Sequence, residues 1–213
     1  MKNPGAITRL IAEIDGYLGR FDGPGIKDVR DGIARFGQGP VRETVEPHPP
    51  ACGYLETALL CLTGADPLRT AIRETRADLD WTTYDAYPRD MFGNRFPVAH
   101  AFVSLIGGTG FVPADDFELG LFLIAPKTLY RDHCHRAPEL YVPLTGPHEW
   151  RFGTGESWTE YNSHTPICNE PMQVHATLVR DLPFLSLFAW TSDVNASAIV
   201  KPWPDWTQIE ASL

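Results

Sequence analysis

The spacing of apolar residues divides the chain into two parts. Before about residue 90, apolar positions recur every three or four residues, which is the period of a helix that buries one side. The first such segment spans residues 7–18, with Asn3-Pro4 as a plausible start signal and Gly19 as a stop. Further helices are predicted over residues 26–36, 55–62 and 68–79, and Asp66 and Pro67 supply an N-cap and a first-turn proline for the last of them.

After about Pro97 the pattern changes to short runs that are rich in β-branched and aromatic residues and are separated by turn signals. Many short strands at this spacing are typical of an antiparallel sandwich or barrel. We therefore expect a helical extension over residues 1–90 and a β-barrel over residues 91–213, whose C-terminal tail packs back on the body. The predicted strands are 98–106, 119–124, 129–136, 140–144, 149–152, 173–179 and 184–190.

Charge and hydropathy narrow the range of partners. The 213 residues carry 18 basic and 27 acidic side chains, for a net charge of −9. Nucleic-acid-binding proteins need a basic surface to neutralise phosphates, so we expect no nucleic acid, and a small cationic or zwitterionic molecule suits the chain better. No apolar run reaches the ~18–20 residues of a membrane span, and the N-terminus has no secretory apolar core, so we expect a cytoplasmic protein without membrane contact.

The cysteines predict neither a zinc site nor a redox site of the thioredoxin type. Both of these sites would need a Cys-x-x-Cys pair, and the chain contains none. We therefore expect four free thiols, which are Cys52, Cys61, Cys134 and Cys168.

The most informative segment contains His133 and His135, which are two residues apart. Residues at this spacing point to the same face of a β-strand, so the two imidazoles can bind one metal ion. Glu139 follows after Arg-Ala-Pro, the predicted turn between two strands, and its carboxylate can approach the same point from the neighbouring strand. Tyr141 lies two residues further on and shares the face of Glu139. A fourth ligand must come from a distant strand, and His175 is the natural candidate.

Three histidines and one carboxylate form a mixed nitrogen and oxygen ligand set. Such a set suits one divalent transition metal, either Fe, Mn, Zn, Ni or Co, and it leaves one or two positions for water or substrate. It lacks the sulfur ligands of a closed structural zinc site. The remaining histidines are expected on the surface or as satisfied core residues, and they are His48, His100, His148 and His164.

These residues resemble the sequence motifs of the cupin superfamily. The pattern His-x-His-x3-Glu-x6-Gly over residues 133–146 matches the first cupin motif, and Pro-x3-His over residues 171–175 resembles the second less closely. The resemblance implies an all-β cupin fold, a small double-stranded β-helix or jelly-roll barrel, with an N-terminal α-helical extension in this chain.

Further features resemble the cupin-type dimethylsulfoniopropionate (DMSP) lyases. They are Tyr130 before the histidines, Tyr141 after the glutamate, the strand at residues 140–144, the run Phe184–Trp190 and the helical N-terminal segment. The resemblance implies a carbon–sulfur lyase that cleaves DMSP into dimethyl sulfide and acrylate by β-elimination. In that family a tyrosine that matches Tyr141 is the base, and Tyr130 is the second catalytic candidate.

The substrate implied by the resemblance is a small zwitterion with a sulfonium group at one end and a carboxylate at the other. A sulfonium has a fixed positive charge and no hydrogen-bond donor, so it should prefer aromatic faces. Trp190, Tyr130 and Tyr161 are the predicted contacts, with Trp150 as an alternative to Tyr161. On a regular strand, Tyr130 and His133 would point to opposite faces of the sheet, because they are three residues apart. Tyr130 therefore reaches the cavity only if a β-bulge lies between them or if the strand begins after Tyr130.

Several alternatives stay open at this point. Tyr84 and Tyr87 lie at the junction of helices and barrel, where a surface loop is favoured over a role in closing the pocket. The same ligand set also serves cupin dioxygenases and isomerases that act on small carboxylates. A non-enzymatic module that binds a metal or a small molecule is the third alternative. The native metal and the formation of a homodimer are also left open.

Overall fold

The computed structural model describes residues 3–42, 48–84 and 91–213. Helices dominate the first part of the described chain, as the apolar spacing predicts, and another helix ends it. They are α1 (Pro4–Leu18), α2 (Ile26–Phe36), a 3-10 helix (Pro50–Tyr54), α3 (Leu55–Cys61), α4 (Asp66–Thr75), α5 (Phe96–Ala99) and α6 (Trp206–Ser212). Within the described ranges, no helix has both the length and the apolar character needed to cross a membrane.

The first residues of α1 and α4 show how far local signals decide helix boundaries. Asn3 caps α1, because its side-chain oxygen accepts a hydrogen bond from the Ala6 amide at 3.3 Å. At α4 the predicted cap is wrong by one residue, since Ala65 precedes the helix and Asp66 is its first residue. The Asp66 carboxylate pairs with Arg69 instead, and it still places a negative charge in the first turn.

The rest of the described chain is mainly β-strand. In chain order the strands are β1 (His100–Gly107), β2 (Val112–Pro113), β3 (Glu118–Ile124), β4 (Thr128–Cys134), β5 (Glu139–Pro143), β6 (His148–Phe152), β7 (Thr159–Tyr161), β8 (Ile167–Asn169), β9 (His175–Val179), β10 (Phe184–Trp190) and β11 (Ile199–Val200). They form a six-stranded sheet in the order β2-β1-β3-β10-β5-β8 and a five-stranded sheet in the order β11-β4-β9-β6-β7. Every predicted strand is present, and those that the sequence missed have only two or three residues.

The six-stranded sheet has a different neighbour on each face. Alternate residues of its strands, such as Leu121 and Leu187, pack with the N-terminal helices in one continuous core. The residues between them, such as Phe122 and Tyr141, pack with aromatic and aliphatic side chains of the five-stranded sheet. Because both faces are buried, these strands appear in the sequence as nearly continuous apolar runs. The predicted two-sheet barrel with an N-terminal helical extension is confirmed.

One irregularity in the five-stranded sheet decides which side chains share a face. Tyr130 pairs with Thr177 and His133 pairs with His175, so three steps along β4 oppose two steps along β9. The extra residue forms a β-bulge, which shifts the alternation of faces along β4. Tyr130 and His133 therefore come together, and their rings stack with centroids 4.1 Å apart.

The C-terminal tail packs back on β4, as expected. The buried Asp132 carboxylate accepts hydrogen bonds from Arg151 on β6 at 2.8 Å and from the indole N–H of Trp206 on α6 at 2.6 Å. Arg131 donates to both carboxylate oxygens of Glu210 on α6, at 2.8 Å each. These bonds attach α6 to the strand that carries His133 and ends directly before His135.

Candidate metal centre and its cavity

Three buried histidines meet where β4 and β9 pair. His133 on β4 is the cross-strand partner of His175 on β9, and His135 follows directly after the end of β4. In each ring Nδ1 donates to a main-chain carbonyl two residues away, at 2.8, 2.9 and 3.0 Å for His133, His135 and His175. Because a carbonyl oxygen can only accept, each Nδ1 carries a proton, and Nε2 is the nitrogen that can bind a metal once it is deprotonated.

Two of these Nε2 atoms lie beside the carboxylate of Glu139, the first residue of β5. The ligand-type atoms of the three histidines lie within 4.8 Å of one another. Glu139 Oε2 lies 3.2 Å from His135 Nε2 and 3.3 Å from His175 Nε2. His175 Nε2 is buried and has no hydrogen-bond partner of suitable geometry among the described residues. Such a buried nitrogen costs free energy unless another group binds it.

Two further side chains hold the Glu139 carboxylate. Trp190 on β10 donates from its indole N–H to Oε1 at 2.7 Å, and Asn169 on β8 donates to Oε2 at 2.9 Å. The strand register explains both contacts, because Glu139 pairs with Trp190 on one side and with Asn169 on the other. Trp190 also packs on His135, with ring centroids 4.5 Å apart. Contacts of this kind orient metal ligands in proteins.

The charges of these side chains depend on one another. Burial lowers the pKa of His133, and the neighbouring His175 and His135 lower it further, so this pKa lies well below that of an ordinary histidine. Burial alone would raise the pKa of Glu139, but His135 and His175 hold it well below its usual range. At neutral pH, Glu139 is therefore ionised and His133 is neutral, which are the states in which each can bind a metal.

This arrangement fits a divalent metal ion. The three imidazoles meet at one place, and the Glu139 carboxylate lies beside two of them, His135 and His175. Each of these four groups is oriented by a further hydrogen bond. The cluster contains no cysteine, and all four cysteines are free thiols, as expected. A mixed nitrogen and oxygen set of this kind is compatible with several transition metals and selects none of them by ligand type alone.

A cavity of about 250 Å³ lies beside these side chains, and Glu139 is part of its wall. Tyr130, Tyr141 and Trp190, which the sequence singles out for catalysis or substrate binding, all line it. The other aromatic lining residues are Tyr84, Phe96, Phe102, Phe122 and Phe188. A small aromatic cavity with few polar groups suits a small organic molecule.

The two candidate catalytic tyrosines reach this cavity from different sheets. Tyr141 on β5 is buried and lies two residues after Glu139, so it shares the inner face, as its parity predicts. Tyr130 on β4 reaches the cavity because of the bulge, and its ring is stacked on His133 at 4.1 Å and on Phe96 at 4.2 Å. Both rings therefore belong to the same wall as the candidate ligand Glu139.

Comparison with known proteins decides the family. A family model described as dimethylsulfoniopropionate lyase matches residues 34–186, a range that includes the four candidate ligands and both tyrosines. The chain belongs to the dimethylsulfoniopropionate lyase family. The resemblance to DMSP lyases found in the sequence is thereby confirmed, and the family is one of carbon–sulfur lyases.

One relative in this family is a Cereibacter sphaeroides protein that carries the provisional name dimethylsulfoniopropionate lyase DddL. It is 31% identical over 99 residues, which are 43% of this chain and 38% of the relative. The match therefore spans well under half of the relative's length.

Solved DMSP lyase structures share the fold of this chain. One of the crystal structures of the DMSP lyases RdDddP and RnDddQII gives a TM-score of 0.76 at 16% identity. The crystal structure of DMSP lyase DddQ from Ruegeria pomeroyi DSS-3 gives 0.73 at 22% identity. Each match covers 93% of this chain and 98% of the other. Together with the two-sheet barrel, these matches confirm the predicted cupin fold.

Two aromatic residues proposed as substrate contacts in this DMSP lyase family member do not line the cavity. Tyr161 lies on β7, the edge strand of the five-stranded sheet, and packs edge-on against Phe152 with ring centroids 6.2 Å apart. Trp150 is buried against Tyr141, with ring centroids 5.3 Å apart. Neither residue is part of the described cavity wall, so the predicted substrate contact of Tyr161 stays a prediction. Tyr87 lies outside the described residues.

The cavity also contains residues that the sequence analysis placed elsewhere. Tyr84 lines it, which corrects the preference for a surface loop. His100 is buried in the wall and stacks on Phe96, with ring centroids 4.3 Å apart. Its Nδ1 donates to the Phe96 carbonyl at 2.7 Å, and its Nε2 accepts from the Tyr84 amide at 2.9 Å. His100 is thus a satisfied core histidine, as expected, but it forms part of the cavity wall.

Asn169 and Glu118 are functional candidates that the sequence analysis missed. Asn169 lies on β8, which has three residues and gives no strand signal in the sequence. Glu118 begins β3 and lines the cavity. Glu118 lies four residues before Phe122 on the same strand. Residues separated by an even number point to the same face, so this spacing can place Glu118 on the inner face of the sheet.

Proposed function

We propose that this chain is a carbon–sulfur lyase that cleaves DMSP into dimethyl sulfide and acrylate. The observation that carries the proposal is a cavity lined by two tyrosines, an aromatic wall and Glu139, whose carboxylate also lies beside the cluster of three buried histidines. Membership of the DMSP lyase family supports the same substrate. The cavity volume of about 250 Å³ is suitable for a molecule of this size.

In this proposal His133, His135, Glu139 and His175 hold one divalent transition metal, either Fe, Mn, Zn, Ni or Co. When bound, such an ion acts as a Lewis acid that stabilises negative charge developing on the substrate carboxylate. Trp190 and Asn169 hold Glu139 in the orientation that this requires. The main-chain carbonyls on the three Nδ1 atoms keep each Nε2 available as a ligand.

Tyr141 is the proposed base, and it acts in its deprotonated form. Its phenolate oxygen takes the proton from the carbon next to the carboxylate. The electron pair of that C–H bond forms the new C=C bond of acrylate, and the C–S bond breaks with its electrons on sulfur. Dimethyl sulfide leaves as a neutral molecule, and the proton stays on Tyr141 until solvent removes it. Tyr130 lines the same cavity and is the second candidate for this step.

The aromatic wall is suited to the sulfonium end of the substrate. Trp190, Phe122 and Phe188 present ring surfaces in the cavity, and a fixed cation without hydrogen-bond donors is attracted to such surfaces. The wall also excludes water from the reacting atoms, which strengthens the electrostatic interactions there. Trp190 has two functions in this proposal, since it also holds Glu139.

The second function of Trp190 makes a testable prediction about metal affinity. Trp190→Phe removes the indole N–H and should weaken metal binding by about 10- to 100-fold, the usual cost of losing a hydrogen bond to a metal ligand. The measurement is competition with a chelator of known affinity. Trp203→Phe is a matched control, because Trp203 is exposed. Equal metal affinity in Trp190→Phe and the parent protein would refute the positioning function.

The proposed reaction is tested by gas chromatography of dimethyl sulfide above metal-replete protein. DMSP should give dimethyl sulfide and acrylate in equal amounts, with and without oxygen, because the elimination consumes no oxidant. A panel of other sulfonium and betaine carboxylates defines the substrate range. If no sulfide forms, or if turnover stops under anaerobic conditions, the chain is not an elimination catalyst and the dioxygenase alternative gains support.

A further inference from the structure

The cavity wall contains a carboxylate outside the candidate ligand set. Glu118, the first residue of β3, lines the cavity together with Trp190 and Phe122. In the six-stranded sheet Trp190 pairs with Glu118 on one side and with Glu139 on the other. The three side chains therefore form one row across β3, β10 and β5, with the candidate metal ligand at one end and Glu118 at the other.

The backbone around Glu118 is shaped to admit its carboxylate. A Cβ atom on Gly107 would lie 2.4 Å from Glu118 Oε2, so a larger residue there would displace the carboxylate from this position. A Cβ atom on Gly110 would lie 2.6 Å from the Ser104 hydroxyl oxygen, and Ser104 is the hydrogen-bonding neighbour of Glu118. These two glycines and Ser104 hold the carboxylate in the wall of the cavity.

Glu118 and Glu139 are the two carboxylates among the described residues that line the cavity. Among the described residues that line the cavity, none is lysine or arginine. Burial raises the pKa of Glu118 to about 7, and the hydrogen bond from Ser104 lowers it by less. A carboxylate in this position is costly to ionise alone, and a cation that enters the cavity would reduce this cost.

We propose that Glu118 recognises the cationic end of the substrate, while the carboxylate end lies at the Glu139 side of the same row. Two strand spacings separate Glu118 from Glu139 along the sheet, about 10 Å between main chains. Side chains from both ends shorten this span, and Trp190 lies between them with its ring in the cavity wall. The row thus offers an aromatic surface and a negative charge to a sulfonium group that cannot accept or donate a hydrogen bond.

The inference rests on the proposed function for the class of substrate, and its test measures binding instead of turnover. Two isosteric ligands are compared by isothermal titration calorimetry on protein reconstituted with Mn²⁺. One is 3-(trimethylammonio)propionate, which carries a quaternary cation, and the other is 4,4-dimethylpentanoate, in which a neutral carbon replaces the nitrogen. Both have the same shape and the same carboxylate, so their affinity ratio reports recognition of the cation.

The parent protein should bind the cationic ligand at least about tenfold more tightly than the neutral one. In Glu118→Gln this ratio should fall on the order of tenfold, while affinity for the neutral ligand stays the same. Asp115→Asn is the matched control, since Asp115 is exposed, lies three residues earlier and outside the cavity lining, and its substitution changes the net charge equally. The control should keep the parent ratio.

An unchanged ratio in Glu118→Gln overturns the inference, as does equal binding of the two ligands by the parent protein. The second result needs no variant, so the test holds even if Glu118→Gln folds poorly. Absence of dimethyl sulfide production would contradict the lyase proposal alone. A ratio that depends on Glu118 would then still support recognition of a cationic carboxylate at this site.

Discussion

Replacing Tyr141 with phenylalanine is expected to slow dimethyl sulfide release by about 10²- to 10⁴-fold, the range that a general base contributes to a proton transfer. The ring of Tyr141 is buried in the cavity wall two residues after Glu139, and the substitution removes only its hydroxyl group. Packing should therefore be preserved. Metal content should also stay at one equivalent, because Tyr141 is outside the ligand set. Headspace gas chromatography and elemental analysis of the same preparation measure both quantities.

Two other tyrosines provide the comparison. Tyr161→Phe makes the same chemical change on β7, outside the cavity lining, and should retain full activity. Tyr130→Phe tests the second candidate, and a smaller loss than in Tyr141→Phe is expected if Tyr130 only shapes the cavity. Full activity in Tyr141→Phe would end the assignment of Tyr141 as the base. In that case, a large loss in Tyr130→Phe would transfer the base function to Tyr130.

Replacing His175 with alanine should reduce both bound metal and activity to background. His175 is the cross-strand partner of His133, and its Nε2 is one of the buried nitrogens without a suitable hydrogen-bond partner among the described residues. Removing one of four ligands leaves an incomplete site whose affinity for a divalent ion is much lower. Elemental analysis after dialysis gives the metal content, and circular dichroism shows whether the β-barrel remains folded.

His48→Ala is the control for this variant, since His48 is exposed and lies far from the site in sequence. It should bind one equivalent of metal and retain activity. A folded His175→Ala protein that keeps one equivalent of metal would show that the ion, if any, binds elsewhere. Loss of metal with retention of dimethyl sulfide production would show that the elimination does not need the metal.

Part of the candidate ligand cluster could be predicted because strand periodicity relates neighbouring residues. His133 and His135 are two residues apart, and Glu139 and Tyr141 are also two apart, so each pair shares a face of a regular strand. The distant His175 followed from the need for a fourth ligand on a strand in the same barrel. In the structure it is the cross-strand partner of His133.

Other features depend on contacts between distant parts of the chain, and periodicity does not encode them. The bulge in β4 changes the face of the sheet to which Tyr130 points, and this bulge arises from the pairing of β4 with β9. The bond from Trp190 to Glu139 requires the register of β10 against β5, and Asn169 comes from a strand of three residues. Glu118 was overlooked because a charged residue at a strand end is usually solvated, whereas here Gly107 leaves room for its carboxylate.

The central claim is that His133, His135, Glu139 and His175 bind one divalent cation inside the barrel. The most direct test is an anomalous difference map from crystals of metal-replete protein, with data collected at the absorption edge of the metal found by elemental analysis. The account predicts a single peak about 2.0–2.2 Å from the three Nε2 atoms and one oxygen of Glu139. A peak at another place, or none at this position in fully loaded protein, would contradict it.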